Sequence, residues 1–362
     1  MRSADQKSQE RQRAISAVLS ERYGLHTQQL TQLPIGQGTV NYRARYGDGQ
    51  VFVKCYPPGT DLVAEEAAIG QSVIAARHEV PVPAVVPTVD GDVIERTAAI
   101  SVWEWMPGSV VIEGLTAARY EQLGATLGRI HRVFAALPGG AAAPDQVARW
   151  RAKLRPDALT ARIDELRGIV AGRLRSGPSE PFDEVAARTL DERRGMIDRL
   201  PRLVEALPDL STQLLHGDFT LVNVLFDRDR LSAVVDFRPP DPFLLAYELG
   251  RIAFNPDTIA TDPAWLEGAE ALVAGYLGAH PEVRAGDVRA CARVALLQLL
   301  RSVYGIREHY LRPGLFQDAL DRFWVRRQQT VATLLHRLDE AEDMLAAISA
   351  RPGAGARDGH RR

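Results

Sequence analysis

Hydrophobic positions along this chain change their period in a way that divides it into a sheet-forming part and a helical part. Residues 8–23 alternate with the weak helical period of a polar helix. From Leu30 the pattern shortens to Leu33-Pro34-Ile35, Tyr42 to Tyr46 and Val51 to Tyr56, separated by Gly36-Gln37-Gly38 and Gly47-Asp48-Gly49. Runs of that length, rich in β-branched and aromatic residues and punctuated by glycine, predict an antiparallel meander. Residues 61–78 return to a helical period, with Asp61 placed to cap the first turn. Apolar runs at 84–89 and 93–102, joined by Asp90-Gly91-Asp92, predict two further strands. The second runs through Trp103-Glu104-Trp105-Met106 to a break at Pro107-Gly108.

Beyond that break the helical period dominates. Tyr120, Leu123, Leu127, Ile130 and Phe134 form a continuous apolar stripe over 116–136, with His131 beside it as a core residue. Further helices are predicted at 158–175, 184–206, 243–254, 263–279, 287–311 and 315–348. Residues 137–148 read as a loop, and the tail from Arg351 reads as disordered. The class is α+β, with a sheet unit at 1–103, a mostly helical unit at 104–350 and a tail at 351–362.

One stretch interrupts the helical part. Leu214-Leu215 and Val224-Leu225-Phe226 bracket His216-Gly217-Asp218-Phe219-Thr220-Leu221-Val222-Asn223, and Leu231 to Val235 follows a polar turn and leads into Asp236. The two apolar runs around Asp227-Arg228-Asp229-Arg230 predict a hairpin that sets Asn223 and Asp236 side by side. The chain contains only three Asn, at 41, 223 and 255, so an amide at this place is informative. Two acids and an amide suit phosphoryl transfer: one carboxylate takes the proton of an attacking hydroxyl, while Asn and the second Asp hold Mg²⁺ on the phosphates.

Composition sharpens this reading. The 44 Lys+Arg include only three lysines, Lys7, Lys54 and Lys153, so a lysine retained in a strand marks a place that needs a compact ammonium. Lys54 follows the glycine loop by one strand, as a residue that clamps nucleotide phosphates would, and Glu66 or its neighbour Glu65 on the next helix is placed to hold it. A net charge of −2 gives no basic footprint for nucleic acid or an anionic membrane. The two cysteines, Cys55 and Cys291, lack ligand neighbours and read as core residues. Neither the polar start of the chain nor the interrupted apolar run 294–306 fits a signal peptide or a bilayer span, and a cytoplasmic protein is expected.

Taken in order, the glycine loop, strand Lys, helix Glu, His-Gly-Asp-x₄-Asn and following Asp resemble the aminoglycoside phosphotransferase and choline kinase superfamily over residues 30–310. Ile35-Gly36-Gln37-Gly38-Thr39-Val40-Asn41, Val80-Pro81-Val82-Pro83 and Leu127-Gly128-Arg129-Ile130-His131 are similar to segments of that family. The resemblance implies a protein-kinase-like fold of two lobes, an antiparallel sheet N-lobe and a mostly helical C-lobe. It implies Asp218 as catalytic base, Asn223 and Asp236 as Mg²⁺ ligands, Lys54 as phosphate clamp and Gly36 and Gly38 in a flap over ATP. It also implies adenine contacts from the backbone of Glu104 to Met106, and an architectural His216. Glu248 stands where many members carry Asp, and is expected to support the catalytic loop.

The implied activity is ATP-dependent phosphorylation of a hydroxyl on a small molecule, either an aminoglycoside-type antibiotic or an amino acid or amino alcohol. A catalytically silent nucleotide-binding protein would be expected to lack part of the Lys54, Asp218, Asn223 and Asp236 set. Residues 237–362 are not strongly acidic, as a lining for polycations would be. Within 299–310, Arg301, Tyr304 and Glu308 fall near one helix face, with His309 and Tyr310 beyond, as the lining of a polar pocket; 137–210 is a candidate cap over it.

Overall fold

The computed structural model describes residues 4–34, 39–137, 144–176, 180–313 and 317–351. Gly36, Gly38 and the tail beyond Arg351 lie outside the described residues. The contacts divide the chain into two compact units. One comprises residues 1–109 with 223–240, the other 110–222 with 241–362.

In the first unit, helix α1 (Ala4–Tyr23) precedes the strands β1 (Gln29–Leu33), β2 (Val40–Tyr46) and β3 (Gly49–Cys55). Helix α2 (Leu62–Arg77), β4 (Val85–Val86) and β5 (Ile100–Glu104) follow. The five strands form one antiparallel sheet in the order β1-β2-β3-β5-β4. Alternation along β3 buries Val51, Val53 and Cys55 on one face, against Ile15, Leu19 and Tyr23 of α1. Lys54 therefore emerges on the opposite face, where α2 packs through Ile69 against Tyr56 and Ile94. Asp61 caps α2 as predicted, accepting from the N–H groups of Val63 and Ala64.

The strand expected over 93–102 begins only at Ile100. The Glu95 carboxylate accepts the Ala98 N–H at 2.6 Å, and Ala99 sits at φ +53°, so the chain doubles back with Glu95 bridging Ile100. The chain leaves this unit at β6 (Ser109–Val110) and re-enters it between β7 (Thr212–Gln213) and β10 (Phe243–Leu244) as the hairpin β8 (Val224–Asp227) and β9 (Arg230–Val234). This hairpin, far away in sequence, belongs to the first unit because its backbone bonds there. The Val234 N–H donates to the Pro81 carbonyl, and the Ser232 side-chain hydroxyl adds a bond to the carbonyl of Pro107.

The second unit is helical: α3 (Ala117–Ala135), α4 (Pro144–Ala152), α5 (Pro156–Ser176), α6 (Pro181–Met196) and α7 (Leu200–Glu205) precede the hairpin. After it come α8 (Leu245–Ala253), α9 (Pro256–Ile259), α10 (Trp265–Ala279), α11 (Ala285–Arg301), α12 (Ile306–Leu311), α13 (Gln317–His336) and α14 (Leu338–Ser349). The stripe predicted on α3 is buried throughout. It faces α10 at very short range, because a Cβ on Gly124 would stand 1.7 Å from the Leu272 carbonyl oxygen. Only glycine permits that approach, and it delivers His131 of α3 to Tyr276 of α10.

Three helical expectations need correction. The segment predicted as a loop at 137–148 contains the start of α4, which is anchored by the fully buried Trp150. The helix predicted over 287–311 breaks after Arg301, and Gly305 carries φ +100°. Its cause is a side chain from α6: the Arg193 guanidinium takes the carbonyls of Leu299, Leu300 and Ser302 and so ends α11. The long helix expected at 315–348 is likewise two, with Arg337 between them.

Candidate active site

The hairpin positions two of the predicted residues. Its register places Val224 opposite Val234, and the Val235 N–H donates to the Asn223 carbonyl at 3.0 Å. Asn223 and Asp236 thus sit at the paired ends of one hairpin, as the sequence predicts. Asp236 has φ +63°, in the left-handed region that costs a non-glycine residue on the order of 1 kcal/mol.

Lys54 reaches the same place. Its Nζ lies 2.8 Å from Asp236 Oδ1 and 3.7 Å from Glu65 Oε2, above the ring of Tyr56. Burial pulls the ammonium's pKa down, but Asp236, Tyr56 and Glu65 outweigh it and hold the group above its ordinary value. Glu66 is not the partner of Lys54. One residue on, it has turned about 100° around α2 and pairs instead with Arg96 at 2.5 Å. Of the two adjacent acids, Glu65 faces the sheet. Glu104 ends β5, and its N–H is engaged by the Ala84 carbonyl at 2.8 Å.

In the second unit the loop carrying Asp218 is built around a buried acid, Glu248, at 1% exposure. Its carboxylate accepts the N–H of His216 at 3.0 Å, of Gly217 at 2.7 Å and of Phe219 at 3.4 Å, and faces His131 Nε2 at 3.0 Å. The other nitrogen of His131 meets the Tyr276 hydroxyl at 2.9 Å. Burial alone would raise the Glu248 carboxyl's pKa. The His131 hydrogen bond, the charges of His131 and His216 and the Phe219 N–H reverse that and hold it below the usual glutamate value. His216 accepts the Asp218 N–H on Nδ1 at 3.2 Å, which fixes the turn from inside. The supporting roles expected of Glu248, His216 and the core His131 agree with these contacts.

Arg251 is a site residue that the sequence reading lacks. Its guanidinium meets Asp218 Oδ1 at 2.7 Å and lies over the ring of Tyr247. A signal was present: Glu248 and Arg251 are three residues apart on α8, so both face the loop they contact. The polar pocket expected along 299–310 is not one helix face. Glu308 bonds the Gly305 N–H and Arg307, His309 faces Asp321 at 2.9 Å, and Tyr310 donates to Asp183 at 2.8 Å.

Asn223 and Asp236 offer oxygen donors of the hard type that suits Mg²⁺. Among the described residues no group of three or more His, Cys, Asp or Glu could hold a metal by itself. Such a donor pair fits an ion that takes its remaining ligands from phosphates and water.

A family model described as the phosphotransferase enzyme family, APH, matches residues 29–286, which hold Lys54, Glu65, Asp218, Asn223, Asp236, Glu248 and Arg251. The chain belongs to this family. Its fold is the α+β, protein-kinase-like fold of the family, with an antiparallel sheet unit and a mostly helical unit. An aminoglycoside phosphotransferase from Alicyclobacillus acidocaldarius has a similar structure, with TM-score 0.59 and 14% identity, covering 90% of this chain and 96% of its own. Spectinomycin phosphotransferase, solved with ADP and spectinomycin, gives TM-score 0.57 and 15% identity over 93% of this chain and 98% of its own. A microcompartment-associated aminopropanol kinase gives TM-score 0.56 and 18% identity over 91% and 98%. No curated protein sequence matches the chain significantly. Among the described residues no helix is long and apolar enough to cross a membrane.

Proposed function

We propose that this protein is an ATP-dependent phosphotransferase that moves the γ-phosphate to a hydroxyl of a small molecule. The observation that carries the proposal is the Lys54 ammonium held between Asp236 and Glu65, on a chain that keeps only three lysines. In the family, phosphotransferases for antibiotics and for amino alcohols share this fold. The acceptor therefore falls among aminoglycoside-type antibiotics, amino acids and amino alcohols.

Each residue has a role that its geometry suits. Asp218 accepts the proton of the acceptor hydroxyl while Arg251 fixes its carboxylate. Lys54 binds nucleotide phosphate, and Glu65 keeps the ammonium in place. Asn223 and Asp236 hold Mg²⁺, which when bound supplies charge neutralisation at the phosphates. Before phosphate arrives, Lys54 occupies one Asp236 oxygen. Nucleotide binding exchanges that ion pair for contacts to phosphate, so the lysine's charge is compensated in both states. The Glu104 carbonyl and the backbone through Met106 meet the adenine.

The experiment is ATP consumption with Mg²⁺ against a panel of aminoglycosides, amino alcohols and hydroxy amino acids. Turnover with one member, lost on removal of Mg²⁺, is expected. Asp236→Ala should weaken Mg·ATP binding in a titration, and unchanged affinity would exclude Asp236 as a metal ligand. The two adjacent acids should separate cleanly. Glu65→Gln is expected to lower kcat/KM for ATP on the order of tenfold, about 1.4 kcal/mol. Glu66→Gln should stay within about twofold, since it breaks only an exposed pair with Arg96. Equal effects of the two would mean that Glu65 does not position Lys54.

A further inference from the structure

Two arginines in the helical unit are buried to a similar depth and treated very differently. Arg193 is fully buried and spends Nε and Nη1 on Gln328 and on the carbonyls of Leu299, Leu300 and Ser302, with only Nη2 left unmet. It caps a helix. Arg327 on α13 is 7% exposed, and its Nε is buried with no hydrogen-bond partner. Among the described residues nothing gives its guanidinium a hydrogen bond or an ion pair. The ring of Phe323, 5.2 Å from the guanidinium carbon, is its packing partner. A desolvated cation that no acceptor meets is costly to fold, and sites of this kind persist where a ligand completes them.

The charged and ionisable groups that act on Arg327 are Tyr247 and Arg251 of α8, Tyr304 and Glu308, with Arg193 feeling its charge in turn. Glu308 is already used by Arg307 and the Gly305 N–H. Arg251 is paired with Asp218. Among the described residues these pairs leave Arg193 and Arg327 as positive charges with no acid, and of the two only Arg193 has carbonyl and amide acceptors instead. Arg301, partly buried at the end of α11, is likewise repelled by Arg162 and offset by Tyr247. This is a poor environment for a polycation and a good one for a single anion.

We propose that Arg327 is a substrate-binding residue that receives a carboxylate on the acceptor, so that the molecule phosphorylated is a small hydroxy acid or hydroxy amino acid. The inference rests on the phosphotransferase reading and specifies its acceptor as a small molecule that bears a carboxylate. The planar fork of a guanidinium matches a carboxylate through two parallel hydrogen bonds. One guanidinium without an acceptor matches one carboxylate. Arg251, whose charge bears on Arg327, itself holds Asp218, the proposed base.

The test uses the full chain and probes in matched pairs: L-serine against ethanolamine, and D-glycerate against ethylene glycol, with kanamycin as polycation and inorganic phosphate as the competing anion. In thermal unfolding at constant ionic strength, D-glycerate should raise the Tm of the wild type saturably and leave that of Arg327→Met unmoved. Without ligand, Arg327→Met should be as stable as the wild type or more so, because it removes an unpaired buried charge. In turnover, the carboxylate-bearing member of a pair should exceed its partner at least tenfold in kcat/KM. Arg327→Met should erase that preference and Arg327→Lys should keep part of it.

A several-degree loss of Tm in Arg327→Met, with the D-glycerate response intact, would make the residue structural and overturn the inference. So would efficient turnover of kanamycin or ethanolamine that Arg327→Met leaves unchanged, although the phosphotransferase reading would then stand. Stabilisation by inorganic phosphate but not by D-glycerate would overturn the carboxylate assignment. Failure of Mg·ATP to bind, read in a separate titration, would sink the phosphotransferase reading instead.

Discussion

Asp218→Ala is expected to lower kcat by about 10³-fold while the affinity for Mg·ATP changes by no more than a few-fold. The two readouts diverge because the residues assigned to the nucleotide are elsewhere. Lys54, Glu65, Asn223 and Asp236 all belong to the sheet unit with its hairpin, whereas Asp218 belongs to the helical unit. What Asp218 loses is a carboxylate that Arg251 holds at 2.7 Å. In the Ala variant that guanidinium, about one-third exposed, turns to water, so the cost in stability should be small. Asp218→Asn keeps the shape and one acceptor oxygen but cannot take a proton, and should be nearly as inactive as Ala. Single-turnover rates with ATP in excess separate the two quantities. If Asp218→Asn retained more than about one-tenth of the wild-type rate, proton acceptance by Asp218 would not be part of the reaction.

How much of this could be read from the chain follows from the range of the interactions. The apolar stripe on α3, the Asp61 cap and the hairpin that pairs Asn223 with Asp236 depend on neighbours a few residues away. Those were legible. Lys54 was legible for a compositional reason, as a lysine kept where arginine is the rule. The choice between Glu65 and Glu66 was not, because a helix turns adjacent residues 100° apart and only the packed sheet says which one faces it. The end of α11 was invisible for a stronger reason. The guanidinium that ends it comes from Arg193, more than a hundred residues earlier. Arg251 and Arg327 were hidden by abundance, since in an Arg-rich chain nothing local distinguishes a paired, a capping and an unpaired guanidinium.

Glu248→Ala should produce the largest loss of stability, about 3–5 kcal/mol, seen as a fall in Tm of roughly 4–7 °C. The carboxylate is the common acceptor for three backbone N–H groups and His131, in a place that water does not reach. Deleting it orphans all four, and each unmet donor costs about 1–3 kcal/mol before relaxation. Glu248→Asp tests length as well as charge. A shorter arm on α8 cannot meet His131 and the loop together unless the helix shifts, and α8 is fixed by Gly250, whose Cβ would stand 2.1 Å from the Cys291 carbonyl. The sign of the pH dependence is also set. Because the folded carboxyl lies below the ordinary value of 4.5, its contribution is present above that pH and is lost as pH falls through the lower folded value. Glu248→Gln should therefore flatten the acid limb of the stability profile. Activity supplies the readout that a purely structural role would not move. The N–H groups of His216, Gly217 and Phe219 bracket Asp218, so loosening them should cut kcat by at least about tenfold at a temperature where the variant remains folded. A folded Glu248→Gln with wild-type kcat would mean that the loop holds its geometry without this acid, and that Arg251 alone orients Asp218.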